Sequence, residues 1–171
     1  MNSLANPPMV VMGVSGCGKS TVGNMLAQAI GSTFIDGDDL HPVSNKEKMA
    51  AGHPLDDTDR KPWLATIGDA LHSSSESGTP AIIACSALKR SYRDLLRAHE
   101  PAIVFVHLRG AADVIQNRLD KRSHEYMPST LLASQLNTLE AIEADESAIE
   151  VDVSRSPEDI VALVAKSLND R

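Results

Sequence analysis

Residues 9–21 read MVVMGVSGCGKST, from Met9 through Gly13 and Lys19 to Thr21. The apolar run Val10 to Met12 predicts a strand, and GVSGCG after it is a turn that only glycine-rich sequence makes tightly. Beyond the turn, Val22, Leu26, Ala29 and Ile30 recur at helical spacing and predict a helix over Lys19 to Ile30. A strand feeding such a turn into a helix directs several backbone N–H groups, and the positive helix end, at one point. That nest suits the phosphates of a nucleotide. Gly13, Val14, Ser15, Gly16, Cys17, Gly18, Lys19, Ser20 and Thr21 are its expected members. Lys19 would reach the β and γ phosphates, and the Ser20 hydroxyl would complete the coordination of Mg²⁺.

A chain of 171 residues is expected to form one domain. With aromatics at 3%, platforms for stacking nucleobases are scarce, and the formal charge of −7 opposes a general binder of nucleic acid or anionic membrane. An anionic ligand must be held by cations gathered locally. Met1 to Pro8 lacks the basic and apolar regions of a signal peptide, and no apolar stretch is long enough to span a membrane. Cys17 and Cys85 form neither a CxxC nor a zinc pattern, which points to the cytoplasm. Cys17 at a helix N-terminus could have a lowered thiol pKa, but the preferred reading is a small residue tolerated at a variable loop position.

Short β-branched runs alternate with helical patterns, so the fold class is α/β, three layers with a five-stranded parallel sheet between helices. The expected strands are Val10 to Met12, Thr33 to Asp36, Ala81 to Cys85, Ile103 to Leu108 and Ile149 to Val153. Helices are expected near Lys19 to Ile30, Arg60 to Ser75, Lys89 to His99, Ala111 to Arg122, Ser129 to Glu143 and Pro157 to Asn169. Ser156, Pro157 and Asp159 form a start signal for the last. The stretch from His41 to Ser75 is too long for a simple connection and is expected to be a flap over the second substrate. Ser123 to Pro128 reads as the hinge of a lid spanning about 118–135. SSSESGT, Ser73 to Thr79, reads as a polar loop.

The acceptor chemistry is expected at the end of the second strand, where the chain reads FIDGDDLHP from Phe34 to Pro42. Three carboxylates beside a phosphate site repel one another unless a cation lies among them. Asp36 is assigned to the outer shell of Mg²⁺ and Asp38 to the acceptor hydroxyl, as general base or orienting acceptor; the plainer reading is a solvated turn. His41 is a turn residue or a polar substrate contact. The flap carries Asn45, Lys46, Lys48, Asp56, Asp57, Asp59, Arg60 and Lys61, a mixture suited to a ligand with many hydroxyls and one negative end. Arg60 can take a carboxylate with two parallel hydrogen bonds, or pair with Asp56 or Asp57. Trp63 is expected to anchor the flap rather than stack on ligand. After the third strand, Ser86 could hold a metal-bound water, and Lys89 or Arg93 could meet a substrate anion. Arg118 and Arg122, at i and i+4, would enter the site together, one on the base and one on the transferred phosphoryl group.

Taken together, MGVSGCGKST, FIDGDDLHP, NKEKMAAGHPLDDTDRKPWL, CSALKRSYRDLLR and SQLNTLEAIEADE resemble the small, thermoresistant-type gluconokinases, over roughly Met9 to Val153. The resemblance implies a P-loop NTPase fold like the nucleoside-monophosphate kinases, with ATP as donor, Mg²⁺ as cofactor, D-gluconate as acceptor at its 6-hydroxyl, and a homodimer. It places Gly13 to Ser20 on the ATP loop, Asp38, His41 and Arg60 in the acceptor motifs, and Arg118 and Arg122 at the lid spacing. With the reading of the residues themselves, Lys19, Asp38 and Arg122 are expected in catalysis, Arg118 on ATP, and Asp38, His41, Lys48, Arg60, Lys89 and Arg93 on the acceptor. His124 is displaced by one position from the family pattern and receives no role. Two other readings stand beside this one: a kinase of another small acid such as shikimate, and a nucleotide-binding switch without turnover.

Overall fold

The structure is a computed structural model describing residues 6–121 and 129–171. Its strands are β1 (Met9–Met12), β2 (Thr33–Asp36), β3 (Ala81–Ala84), β4 (Val104–Arg109) and β5 (Ala148–Asp152). All pair in parallel, in the order β2-β3-β1-β4-β5. The central strand is β1, whose Val10 lies opposite both Ile83 and Phe105. The helices are α1 (Lys19–Ile30), α2 (Val43–Ala50), α3 (Asp57–Glu76), α4 (Arg90–His99), α5 (Ala112–Lys121), α6 (Ser129–Thr138) and α7 (Pro157–Asn169).

Because successive strand side chains point to opposite faces, β1 feeds two cores. Met9 and Val11 pack with Leu26 of α1 and Ile160 and Val164 of α7, whereas Val10 and Met12 pack with Leu64, Ile67 and Leu71 of α3 and Leu96 of α4. Every β1 residue is fully buried, and each aliphatic side chain so placed contributes about 1.5–3 kcal/mol. This is the three-layer α/β architecture that the alternating pattern predicts.

α1, β2 and α7 have the predicted bounds, and the other strands are displaced by a single residue at one end or both. α3 begins three residues earlier than Arg60 because Asp56 and Asp59 form a capping box, Asp56 Oδ1 accepting from the Asp59 N–H at 2.7 Å. The same helix continues to Glu76, so half of the expected polar loop from Ser73 is helical; the Ser74 hydroxyl accepts the Ala81 N–H at 2.9 Å and ties the helix end to β3. α6 stops at Thr138, five residues short of the predicted end. Arg122, His124 and the proposed hinge from Ser123 to Pro128 lie outside the described residues.

Between β3 and α4 the backbone passes through Ala87, which is buried and has φ 46, a left-handed conformation that costs an L residue about 1–2 kcal/mol. Just before it, the Ser86 carbonyl accepts the Gly13 N–H at 3.3 Å.

Candidate active site

The turn between β1 and α1 takes the nest form. Gly13 has φ 144, and a Cβ there would sit 2.7 Å from the Cys17 sulfur; Gly18, with φ 95, caps α1. Val22 is the residue whose N–H returns to the Gly18 carbonyl, at 2.9 Å, so the N–H groups of Lys19, Ser20 and Thr21 precede the helical ladder and point out of its end. Lys19 Nζ donates to the Gly13 and Val14 carbonyls, at 3.1 Å each, and so lies along the loop. The Cys17 thiol faces inward, and burial pushes its pKa up, against the lowering that a helix N-terminus alone would give. The idea of a reactive Cys17 is thereby corrected. Burial also pushes Cys85 up, to about 12.

The parallel order brings the end of β2 to this loop. Ser20 Oγ lies 3.4 Å from Asp36 Oδ2, while Asp36 Oδ1 accepts the Asp38 N–H at 3.0 Å and caps a 3-10 turn over Gly37–Leu40. One carboxylate thus shapes the turn and faces the loop hydroxyl. Burial, then the neighbouring Asp36 charge, raises the Asp38 pKa, with Lys19 and His41 opposing. The oxygens of Ser20 and Asp36 are the donor type a hard divalent cation takes, and they stand where nucleotide phosphates would supply the remaining ligands. Among the described residues no group of three or more His, Cys, Asp or Glu forms a metal cage, so a protein-only metal site is not built.

The stretch after β2 packs against the other side of the 3-10 turn. His41 stacks on Trp63 with ring centroids 4.1 Å apart, and its Nδ1 lies 3.2 Å from Asn45 Nδ2. Burial lowers the His41 pKa and keeps the ring neutral at pH 7. Trp63 Nε1 donates to the Gly37 carbonyl at 2.8 Å, so it anchors the flap to the 3-10 turn as expected. Arg60 Nη1 donates to the Tyr92 hydroxyl at 3.2 Å, and that hydroxyl donates to Asp57 Oδ1 at 2.5 Å, where Lys89 Nζ also binds at 3.1 Å. Arg60 and Lys89 therefore share one cluster, with Tyr92 orienting the guanidinium. Lys48 pairs with Asp59 at 2.5 Å and sits at the rim.

Arg93 overturns its expectation. Its side chain is 0% exposed: Nε meets the Glu146 carboxylate at 3.1 Å, Nη1 donates to the Ala87 and Leu88 carbonyls, and Nη2 to those of Glu140 and Ala141. Every N–H direction of the guanidinium is spent on the fold. Arg118 does reach the loop region: its Nη2 donates to the Val153 and Arg155 carbonyls, and Nη1 lies 3.9 Å from where a Gly18 Cβ would be. Residues that the sequence did not single out also belong here. Tyr92 orients Arg60, and Gln135 of α6 hydrogen-bonds Ser15 in the phosphate loop at 2.7 Å.

A parallel sheet of this order, a glycine-rich phosphate nest after its central strand and carboxylates after the edge strand β2 define a P-loop kinase. A sequence model of the family described as shikimate kinase matches residues 15–169. The thermoresistant gluconokinase of Escherichia coli (strain K12) is 45% identical over 90% of this chain and 88% of its own length, and the gluconokinase of Gluconobacter oxydans (strain 621H) is 47% identical over 88% and 84%. The crystal structure of a gluconokinase from Sinorhizobium meliloti 1021 superposes with a TM-score of 0.88 at 46% identity, covering 97% of this chain and 93% of that one. The chain belongs to the gluconokinase family, within the fold shared with shikimate kinases.

Proposed function

We propose that this protein transfers the γ-phosphoryl group of ATP to the 6-hydroxyl of D-gluconate, giving 6-phospho-D-gluconate and ADP. The observation that carries the reading is the Ser20–Asp36 approach, which sets an acceptor-side carboxylate beside the phosphate nest in a chain whose relatives are gluconokinases. The first-turn N–H groups of α1 and Lys19 bind the phosphates. Ser20, with Asp36 behind it, would hold Mg²⁺, which when bound neutralises charge on the β and γ phosphates. Asp38 accepts the hydrogen bond of the attacking hydroxyl and fixes its line of approach. Its raised pKa favours proton acceptance, although a loose phosphoryl transition state asks more for positioning than for base strength.

Arg60, held by Tyr92, takes the gluconate carboxylate, and His41, Lys48 and Lys89 line the hydroxyl-rich face. Residues 41–75 serve as the flap and 118–135 as the lid, with Arg118 on the adenine side and Arg122 on the phosphoryl group. The active form is a cytoplasmic homodimer; the two cysteines are free, as a reducing compartment requires, and no described helix is long and apolar enough to cross a membrane.

The test is a coupled assay of ADP release over sugar acids, shikimate and nucleoside monophosphates. Turnover selective for D-gluconate is expected, and indifference to it overturns the reading. Light scattering of the purified protein checks the dimer.

A further inference from the structure

α6 meets the phosphate loop through one side chain. Gln135 Oε1 accepts the Ser15 N–H at 2.7 Å, and Gln135 Nε2 donates to Ser15 Oγ at 3.0 Å. The amide orientation is fixed by chemistry, because a backbone N–H can only donate and must therefore face the carbonyl oxygen. A carboxamide is the one side-chain group that accepts from an N–H and donates to a hydroxyl oxygen from the same planar end. Leu132 is buried, but Leu136 and, just past the helix, Leu139 line a cavity of about 630 Å³ together with Val14, Ile115 and the ends of β4 and β5.

We propose that Gln135 is a positioning residue for phosphoryl transfer, which couples α6 to the curvature of the phosphate loop; this rests on the kinase reading above. By accepting the Ser15 N–H and donating to its hydroxyl, it fixes the loop at Ser15. The two hydrogen bonds tie the position of α6 to that of the loop. Placement of α6 and the shape of the donor site then change together. The acceptor cluster of Arg60, Tyr92 and Asp57 lies on the flap side and is untouched.

The test is steady-state kinetics of Gln135→Ala, Gln135→Glu, Ser15→Ala and the double variant S15A/Q135A. Losing two neutral hydrogen bonds that hold a reacting geometry should lower kcat about 10-fold and raise KM for ATP several-fold. KM for gluconate should stay within about twofold, and the melting temperature close to that of the parent. Gln135→Glu keeps size but not the donor, so it should reproduce the kcat loss even if Gln135→Ala folds poorly. In the double variant the two effects should be strongly non-additive, since both act through one contact. Unchanged kcat and KM for ATP, an equal rise in KM for gluconate, or additive losses would each overturn the proposal. Calorimetry with a non-hydrolysable ATP analogue reports the same coupling without any acceptor. Weakened binding in Gln135→Ala therefore supports the clasp even if gluconate proves the wrong substrate, and unchanged binding counts against it.

Discussion

Ser20 Oγ and Asp36 Oδ2 stand 3.4 Å apart, one on the first turn of α1 and the other at the last residue of β2. Two oxygens from the ends of strands that flank β3 offer a divalent cation one direct ligand, Ser20, and an outer partner, Asp36, leaving the rest to phosphate and water. Ser20→Ala should raise the Mg²⁺ concentration for half-maximal rate by about 10-fold or more, with Asp36→Asn giving a smaller shift, as outer ligands do. A magnesium titration of initial rates checks it. Identical half-saturation in all three proteins would remove the pair from the metal site.

Asp38 should separate activity from stability. Its folded pKa is raised, so relative to the unfolded chain it contributes stability below the ordinary carboxylate pKa of about 4, and that contribution is lost as pH rises through the folded value. At pH 7–8 the ionised group is therefore a burden on the fold. Asp38→Asn should raise the melting temperature there, the gain shrinking as pH falls toward about 4, while kcat drops by about 100-fold or more. Thermal melts across pH, run beside turnover assays, read both. A melting temperature lowered at neutral pH would contradict the electrostatic account.

Arg60 and Tyr92 should act as a unit on the acceptor. Arg60→Lys cannot reproduce two parallel hydrogen bonds and should raise KM for gluconate by about 10-fold or more. Tyr92→Phe removes the hydroxyl that holds the guanidinium and should raise it less, about 3- to 10-fold, with KM for ATP unchanged in both. Kinetics with gluconate varied at saturating ATP distinguishes this from Lys48 or Lys89 carrying the carboxylate, in which case Arg60→Lys would leave KM where it was.

Arg93 is expected to matter for folding rather than for substrate. Arg93→Ala takes one of two cations from Glu146, itself 0% exposed at the side chain, with Arg90 Nε remaining at 3.1 Å, and removes a donor from four backbone carbonyls; it should cost about 3–5 kcal/mol in denaturant unfolding. In whatever fraction folds, KM for gluconate should match the parent.

Much of the frame was legible because its signals are local. β1 is apolar at every residue, Ser156 accepts the Asp159 N–H at 3.1 Å with Pro157 following, and both surface in the sequence as plain patterns. Trp63 was legible as an anchor from its place in the flap, whereas the facing of Ser20 and Asp36 needs the strand order, which puts β3 between their strands. What stayed hidden depends on partners far along the chain. Arg93 resembles other cations in a basic run, and only the fold shows Glu146, 53 positions on, beside it. The same guanidinium also takes the carbonyls of Glu140 and Ala141, just past the end of α6. Gln135 and Ser15 are 120 positions apart, and nothing in either neighbourhood announces the other. Asp56 was quoted as a flap charge when its task is to start α3.

The left-handed residue at Ala87 follows directly on the carbonyl that accepts from Gly13. The chain holds a conformational strain of about 1–2 kcal/mol at the joint where the donor loop touches the segment after β3 that leads to Lys89 and Tyr92. That joint resembles a wound spring, kept in place by Arg93 gripping the Ala87 carbonyl. Glycine at position 87 would relax it, with the lost burial of the methyl and the freer unfolded chain offsetting about as much, so the melting temperature should stay near the parent's while the contact with the donor loop is less firmly held.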